Sequence, residues 1–184
     1  MTITTKLGEL TGDYVLDTAN TRIGFVIRQV LVMKVRGRYD EFEGSAHLDG
    51  DDPSKSSVRL TIQAKSIQTR NKRRDEHLGS AYLDAANHPT ITFTSTRVEQ
   101  VDQTNFKVTG DLTVRGATKP VTVAFELTAA GDDPSGGFRV GFEGKSTINR
   151  NDWGVSWNAV AEGGGALVGE QVTLDFSIVA IRRS

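Results

Sequence analysis

Residues 58–94 read VRLTIQAKSIQTRNKRRDEHLGSAYLDAANHPTITFT and contain two strand patterns separated by a charged insert. Apolar and polar side chains alternate over residues 58–65 and again over residues 90–94, which is the period-two pattern of a half-buried strand. Between them, the insert Ser66–Phe93 places three side chains at helical spacing: Leu78, Ala81 and Tyr82. A barrel or sandwich does not need such an insert to close, so we predict that it marks the functional end of the molecule.

The same alternation recurs along the rest of the chain. Further strand patterns cover residues 14–17, 23–27, 35–48, 106–114, 121–127, 138–148 and 172–178. The parity of the pattern changes between Tyr39 and Phe42, which predicts a bulge in one long, bent strand. The sequence GDDPSGG at residues 131–137 predicts a hairpin turn. With one short helix and no alternation of strands with helices, the chain is predicted to be all-β and mostly antiparallel, a barrel or a sandwich.

Glycines inside several strand patterns favour the barrel, because they allow sharp strand bending. These are Gly37, Gly44, Gly110 and Gly144. The length of 184 residues suits one domain. We predict a loosely held tail over residues 1–12, which are rich in Thr and Gly, and a barrel domain over residues 13–184.

Composition excludes several classes of protein. Lys plus Arg (22) nearly cancels Asp plus Glu (23), so there is no overall attraction to nucleic acid. The absence of Cys rules out disulfides and thiolate metal sites. We find no signal-peptide pattern and no run long enough to span a membrane. We therefore expect a cytoplasmic protein without membrane insertion.

The side chains predicted to face inward are almost all aliphatic or Phe. They are Val58, Leu60, Ile62, Ile91, Phe93, Leu112, Val121, Val123, Phe125, Phe142, Leu174 and Phe176. A barrel of about eight strands is either filled by its side chains or holds one small ligand. These walls favour an apolar guest and offer nothing to stabilise the charge that develops in catalysis.

Few residues could carry chemistry. The three histidines, His47, His77 and His88, show no metal-ligand spacing, so we predict no metal site. A composite site of His77 with Asp75 or Asp84 stays an alternative to a merely hydrogen-bonding histidine.

For each of two polar segments, the sequence allows two alternative roles. The basic run Arg70–Arg74 is either a solvated helix start, with Arg74 paired to a carboxylate, or a contact for a ligand head group. The segment Asn149–Trp157 holds both tryptophans of the chain, Trp153 and Trp157, and is either the lid of a cavity or a plug at the barrel end.

In their order and spacing, these motifs resemble the YceI-like family from Tyr14 to Ile181. The resemblance rests on Tyr14-Val15-Leu16-Asp17, on the block from Ser66 to Thr96, on Gly110–Val121, and on Ile148-Asn149-Arg150 with Asp152, Trp153 and Gly154. It implies an antiparallel, lipocalin-like β-barrel of about eight strands with one short helical insert.

The resemblance also implies a carrier rather than an enzyme. Its ligand would be a long-chain isoprenoid, a quinone-type molecule or a fatty chain, with no other cofactor. The residues expected to bind this ligand are Phe25, Ile27, Phe42, Ile62, Leu78, Tyr82, Phe93, Leu112, Phe125, Phe142, Trp153, Trp157, Arg74, His77 and Arg150. Two alternatives stay open. One is a barrel-mouth enzyme that uses His77 on a prenyl or lipid substrate, and the other is an interaction module that forms a homodimer. Because many relatives are exported, a periplasmic or secreted protein is the alternative to a cytoplasmic one.

Overall fold

The computed structural model describes residues 6–29, 34–134, 136–155 and 168–183. In this part of the chain the strands form a single sheet in which every pairing is antiparallel. The strands are β1 (Gly12–Leu16), β2 (Arg22–Gln29), β3 (Lys34–Tyr39), β4 (Phe42–Leu48), β5 (Ser57–Gln63), β6 (Ile67–Gln68), β7 (Thr90–Gln100), β8 (Asn105–Val114), β9 (Ala117–Asp132), β10 (Phe138–Asn149) and β11 (Val168–Arg182).

The sheet closes into a barrel because β11 pairs with β10 on one side and with both β1 and β2 on the other. The short strands share positions in pairs: β4 lies beside β1 and β5, whereas β3 lies beside β2 and β6. When β1 and β2, β3 and β4, and β5 and β6 are each counted as one strand of the barrel wall, the barrel has eight strands. The prediction of an all-β, antiparallel barrel of about eight strands is confirmed.

The predicted long, bent strand is interrupted more strongly than a bulge requires. β3 ends at Tyr39 and β4 begins at Phe42, and the two residues between them, Asp40 and Glu41, lie outside both strands. At this bend Arg38 Nε donates to Asp40 Oδ1 at 2.9 Å. The hairpin turn predicted at residues 131–137 is confirmed, since β9 ends at Asp132 and β10 begins at Phe138.

The insert between β5 and β7 forms β6, a short helix α1 (Lys72–His77) and a π-helical turn (Leu78–Tyr82). Asn71 caps α1, because its side-chain oxygen accepts a hydrogen bond from the amide of Arg74. Leu78 and Tyr82 are buried, as their helical spacing predicted.

Part of the segment predicted to be a loosely held tail, from residue 7 onward, packs against the barrel. Residues Leu7–Leu10 form a 3-10 helix, and Leu10 is only 4% exposed. The hydroxyl of Tyr14 donates to the carbonyl oxygen of Leu10 at 2.8 Å. Thr11 Oγ1 accepts from the amide of Gly50 at 3.0 Å. From residue 7 onward the segment is therefore packed against the barrel, because its leucines bury apolar surface there.

Two groups of buried apolar side chains line the inside of the barrel. The group nearer the insert includes Ile23, Phe25, Ile62, Leu78, Tyr82, Val123 and Trp153. The group at the other end includes Leu10, Tyr14, Phe106, Leu127, Val140 and Ala180. Within the described ranges, none of the helices has the length and apolar character needed to cross a bilayer.

Candidate functional site

The barrel encloses a cavity of about 270 Å³ whose walls are almost wholly apolar. Every side chain predicted from the alternation to face inward lines this cavity: Val58, Leu60, Ile62, Ile91, Phe93, Leu112, Val121, Val123, Phe125, Phe142, Leu174 and Phe176. Several of these side chains are only partly buried although they face inward, because they border open space rather than close-packed neighbours. The interior is therefore not solidly filled.

Glycines on neighbouring strands make room for the inward phenyl rings. A Cβ at Gly37 would lie 2.8 Å from Phe25 Cε1, and one at Gly144 would lie 2.6 Å from Phe125 Cε1. Real Cβ atoms essentially never approach other heavy atoms so closely. Each ring thus packs against bare backbone of the next strand, which keeps it close to the wall and leaves the centre of the barrel open.

The insert and the segment after β10 close one end of the cavity. Leu78 and Tyr82 from the π-helical turn line it together with Trp153 and Val155. Trp153 is 4% exposed, and its indole Nε1 donates to the carbonyl oxygen of Leu112 on β8 at 2.8 Å. Of the two roles left open for this segment, the geometry of Trp153 favours the plug. Trp157 lies outside the described residues.

The N-terminal 3-10 helix closes the opposite end. Leu7 and Leu10 line the cavity there, beside Leu48 and Pro53. A Cβ at Gly50 would overlap the carbonyl oxygen of Leu7, so the turn after β4 packs directly on this helix. Sequence reasoning missed this closure, because two leucines in a short segment give no periodic signal.

Arg150 brings a positive charge to the insert end of the cavity. It lines the cavity, and its Nη1 donates to the carbonyl oxygen of Val155 at 2.6 Å. Its guanidinium carbon lies 5.7 Å from the centre of the Tyr82 ring, within reach of a cation–π interaction. Burial raises the pKa of Tyr82 to about 12, although the positive charge of Arg150 acts in the opposite direction. Tyr82 therefore stays neutral at physiological pH.

Arg74 and Asp75 brace the insert internally. Arg74 donates from Nε to Thr69 Oγ1 at 2.8 Å and from Nη2 to the Thr69 carbonyl oxygen at 2.9 Å. Asp75 Oδ1 accepts hydrogen bonds from the amide and the hydroxyl of Thr69. Thr69 is only 5% exposed, so both charged residues act on a buried partner. Of the two roles proposed for Arg74, this geometry favours a structural one.

His77 is not among the residues that line the cavity. The carboxylates suggested as its partners accept hydrogen bonds from other residues, Asp75 from Thr69 and Asp84 from Asn87. Asp84 also lies 4.0 Å from His88. In the described ranges, no three His, Cys, Asp or Glu side chains are grouped so that they could hold a metal ion. The geometry gives no support to a catalytic site built on His77.

Most of the side chains predicted to bind a ligand meet around this one cavity. They are Phe25, Ile27, Ile62, Leu78, Tyr82, Phe93, Leu112, Phe125, Phe142, Trp153 and Arg150. Three others are not brought to its wall: Arg74 and His77, which lie on α1, and Phe42, which packs against the core beside β5. That the lining residues touch a ligand stays a prediction. Tyr39 also lines the cavity and was not predicted to bind a ligand, although it follows the inward parity of Val35 and Gly37.

Comparison with known proteins adds independent findings. The model of the YceI-like domain matches residues 14–180. A UPF0312 protein of Pseudomonas aeruginosa (strain LESB58) is 38% identical over 149 residues, which cover 79% of this chain and 78% of that protein.

Solved structures share the fold. BcnA of Burkholderia cenocepacia superposes with a TM-score of 0.77 at 24% identity, covering 89% of this chain and 98% of BcnA. A polyisoprenoid binding domain from Saccharophagus degradans superposes with a TM-score of 0.72 at 14% identity, covering 92% of this chain and 98% of that domain.

Proposed function

The chain belongs to the YceI-like family, and from this premise we propose that it binds a long apolar ligand inside its barrel. The ligand would be a polyisoprenoid, a quinone-type molecule or a fatty chain, which the protein carries or sequesters. The observation that carries the proposal is the continuous apolar cavity of about 270 Å³ between the insert and the N-terminal helix. The Saccharophagus degradans domain, described as polyisoprenoid binding, has the same fold and supports the proposal by analogy.

Burial of hydrocarbon can drive such binding without polar contacts. Each buried CH₂ group contributes about 0.8 kcal/mol, so one five-carbon isoprene unit contributes up to about 4 kcal/mol before the cost of association. A few units would give tight binding. The cavity volume of about 270 Å³ lies near the lower end of the roughly 300–1,000 Å³ typical of small-molecule sites. We therefore infer that it accepts a short chain, or one segment of a longer chain.

We infer binding rather than catalysis. Catalysis needs dipoles or charges aimed at the charge that develops in the transition state, and these walls are almost wholly apolar. Among the described residues, the one large apolar side chain that is strongly exposed is Val101, at 57%, and a single residue does not make a docking patch. Nothing therefore favours the interaction module. The homodimer, the cytoplasmic location and the lack of a cofactor other than the lipid stay predictions.

A competition titration tests the proposal. The protein is titrated with an apolar dye whose fluorescence rises in a dry environment, and the dye is then displaced with straight-chain alcohols of increasing length. We expect saturable dye binding, and displacement that strengthens with each CH₂ group until the cavity is filled. Dye binding that does not saturate, or displacement that is independent of chain length, would reject the proposal.

A further inference from the structure

Tyr39 is a tyrosine that lines the wall of the apolar cavity. It is the last residue of β3 and lies opposite Ile23 of β2 and Ile67 of β6. Its ring centroid is 5.6 Å from that of Phe25. The side chain is partly accessible and borders the cavity.

Within the described residues, the hydroxyl of Tyr39 makes no hydrogen bond to the protein, and it is not fully buried. Two buried donors differ in this respect. Tyr14 Oη donates to the carbonyl oxygen of Leu10 at 2.8 Å, and Trp153 Nε1 donates to that of Leu112 at 2.8 Å. These two donors, one at each closed end of the barrel, are paired, whereas the hydroxyl of Tyr39 makes no such bond within the described residues.

Tyr39 stays protonated at physiological pH. Burial raises its pKa well above the ordinary value for a tyrosine, and no neighbouring charge opposes this effect. A neutral phenol is both a donor and an acceptor, and its O–H is available to an acceptor oxygen. Phenylalanine would offer the same ring without a group that can donate to an oxygen atom of a ligand.

We propose that Tyr39 donates a hydrogen bond to an oxygen atom of the ligand and so selects among apolar molecules. The preferred class is then a hydrocarbon chain that carries an acceptor oxygen, such as a ketone, quinone, ester or alcohol oxygen, over a plain hydrocarbon. This inference rests on the proposed function, and it assigns one residue of the wall to specificity. A site built to pair a polar group discriminates more strongly than apolar walls do, because a ligand without that group leaves a buried donor unpaired.

A pair of matched probes tests the assignment. Pentadecane and 2-pentadecanone have the same chain length and differ by one carbonyl oxygen, and both can displace the apolar dye. We expect the wild type to prefer the ketone. In Tyr39→Phe, the affinity for the ketone should fall by roughly 3- to 10-fold, the usual range for one hydrogen bond. The affinity for the alkane should stay the same or rise.

Tyr14→Phe is the matched control, because its hydroxyl already bonds to Leu10. It should lose thermal stability and keep the ratio of ketone to alkane affinity. The same ratio in the wild type and Tyr39→Phe would overturn the proposal, and is the result expected if the hydroxyl only holds a water molecule. If neither probe displaces the dye from the wild type, it is the proposed function that fails. Circular dichroism spectra establish that each variant is folded.

Discussion

The phenyl ring of Phe25 occupies the space that a side chain at Gly37 would need, since a Cβ on this glycine would lie 2.8 Å from Phe25 Cε1. The two residues face each other across β2 and β3. Phe125 and Gly144 repeat the arrangement across β9 and β10. Large inward rings placed over glycines line the barrel without filling it, so these pairs determine how much cavity is left for a ligand.

Gly37→Ala should reduce ligand binding. The new methyl group must push the Phe25 ring away from the wall and into the cavity. Overpacking of this kind typically costs about 1–3 kcal/mol of stability. We expect a loss of that size in urea unfolding, together with weaker binding of the apolar dye at a temperature where the variant is folded.

Gly131→Ala is the matched control for this substitution. It lies in β9, and a Cβ there would meet no heavy atom within 4 Å. Dye affinity and stability should stay close to those of the wild type. Equal dye affinity in Gly37→Ala and Gly131→Ala would contradict the role assigned to the pair of Phe25 and Gly37.

Trp153→Phe should loosen the closed end of the barrel at the insert. The substitution removes the hydrogen bond from the indole to the carbonyl oxygen of Leu112. We expect a loss of about 0.5–1.5 kcal/mol in the free energy of unfolding. Hydrogen exchange should rise first in the residues after β10. Unchanged exchange in this segment would show that the indole does not hold the plug.

Arg74→Ala separates bracing of the insert from contact with a ligand. Because two hydrogen bonds from a charged group to Thr69 are lost, the free energy of unfolding should fall by about 1.5–3 kcal/mol. The affinity for the apolar dye and for an anionic fatty acid should change little while the variant is folded. Arg73→Ala, an exposed neighbour on α1, serves as the control and should be neutral in both assays. If Arg74→Ala selectively loses affinity for the fatty acid, Arg74 contacts the head group of the ligand.

Asp17 should make stability depend on pH in the acid range. The hydrogen bond from Asn20 and the contact with Arg139 hold the pKa of its carboxyl below the usual value, although burial opposes them. A carboxylate with a lowered folded-state pKa stabilises the protein above its unfolded pKa of about 3.9, and this contribution disappears as pH falls through the folded pKa. The difference in stability between the wild type and Asp17→Asn should be constant from about pH 7 to pH 5 and shrink below about pH 4. A difference that grows as the pH falls would contradict the assigned sign.

Leu10→Ala should destabilise the barrel although the residue lies near the chain terminus. The side chain is 4% exposed and packs with Tyr14, Val140 and other core residues. Truncation of a buried leucine typically costs 2–5 kcal/mol, and we expect a value of about 2–4 kcal/mol from urea unfolding. Lys6→Ala, at an exposed position just before the 3-10 helix, should be neutral. If both variants unfold like the wild type, the N-terminal segment does not close the barrel.

The strands and the inward face could be predicted because a period of two in sequence translates directly into side-chain direction. Residues 121–127 alternate strictly, and their apolar members, including Val121 and Phe125, do line the cavity. The apolar character of the candidate site follows from the same pattern. The insert was also recognised, since the spacing of Leu78 and Tyr82 is helical.

The features of the fold and of the candidate site that were not predicted depend on contacts that the local sequence does not encode. Gly37 was interpreted as a point of strand bending, whereas the structure shows that it makes room for Phe25. The packing of Leu7 on Gly50 joins segments about 40 residues apart. Arg74 was a head-group candidate on charge alone, and its engagement with Thr69 depends on the turn that precedes α1. In each case tertiary packing assigned the role.

Native mass spectrometry of the protein incubated with a C15 prenyl alcohol tests the interior binding site most directly. Ile148 and Thr147 are adjacent in β10 and face opposite sides of the wall, because Ile148 lines the cavity and Thr147 is exposed. We predict one bound alcohol on the wild type and on Thr147→Trp. Binding should be at least about tenfold weaker on Ile148→Trp, whose indole would occupy the site. No ligand on the folded wild type, or equal binding to the two tryptophan variants, would contradict binding inside the barrel.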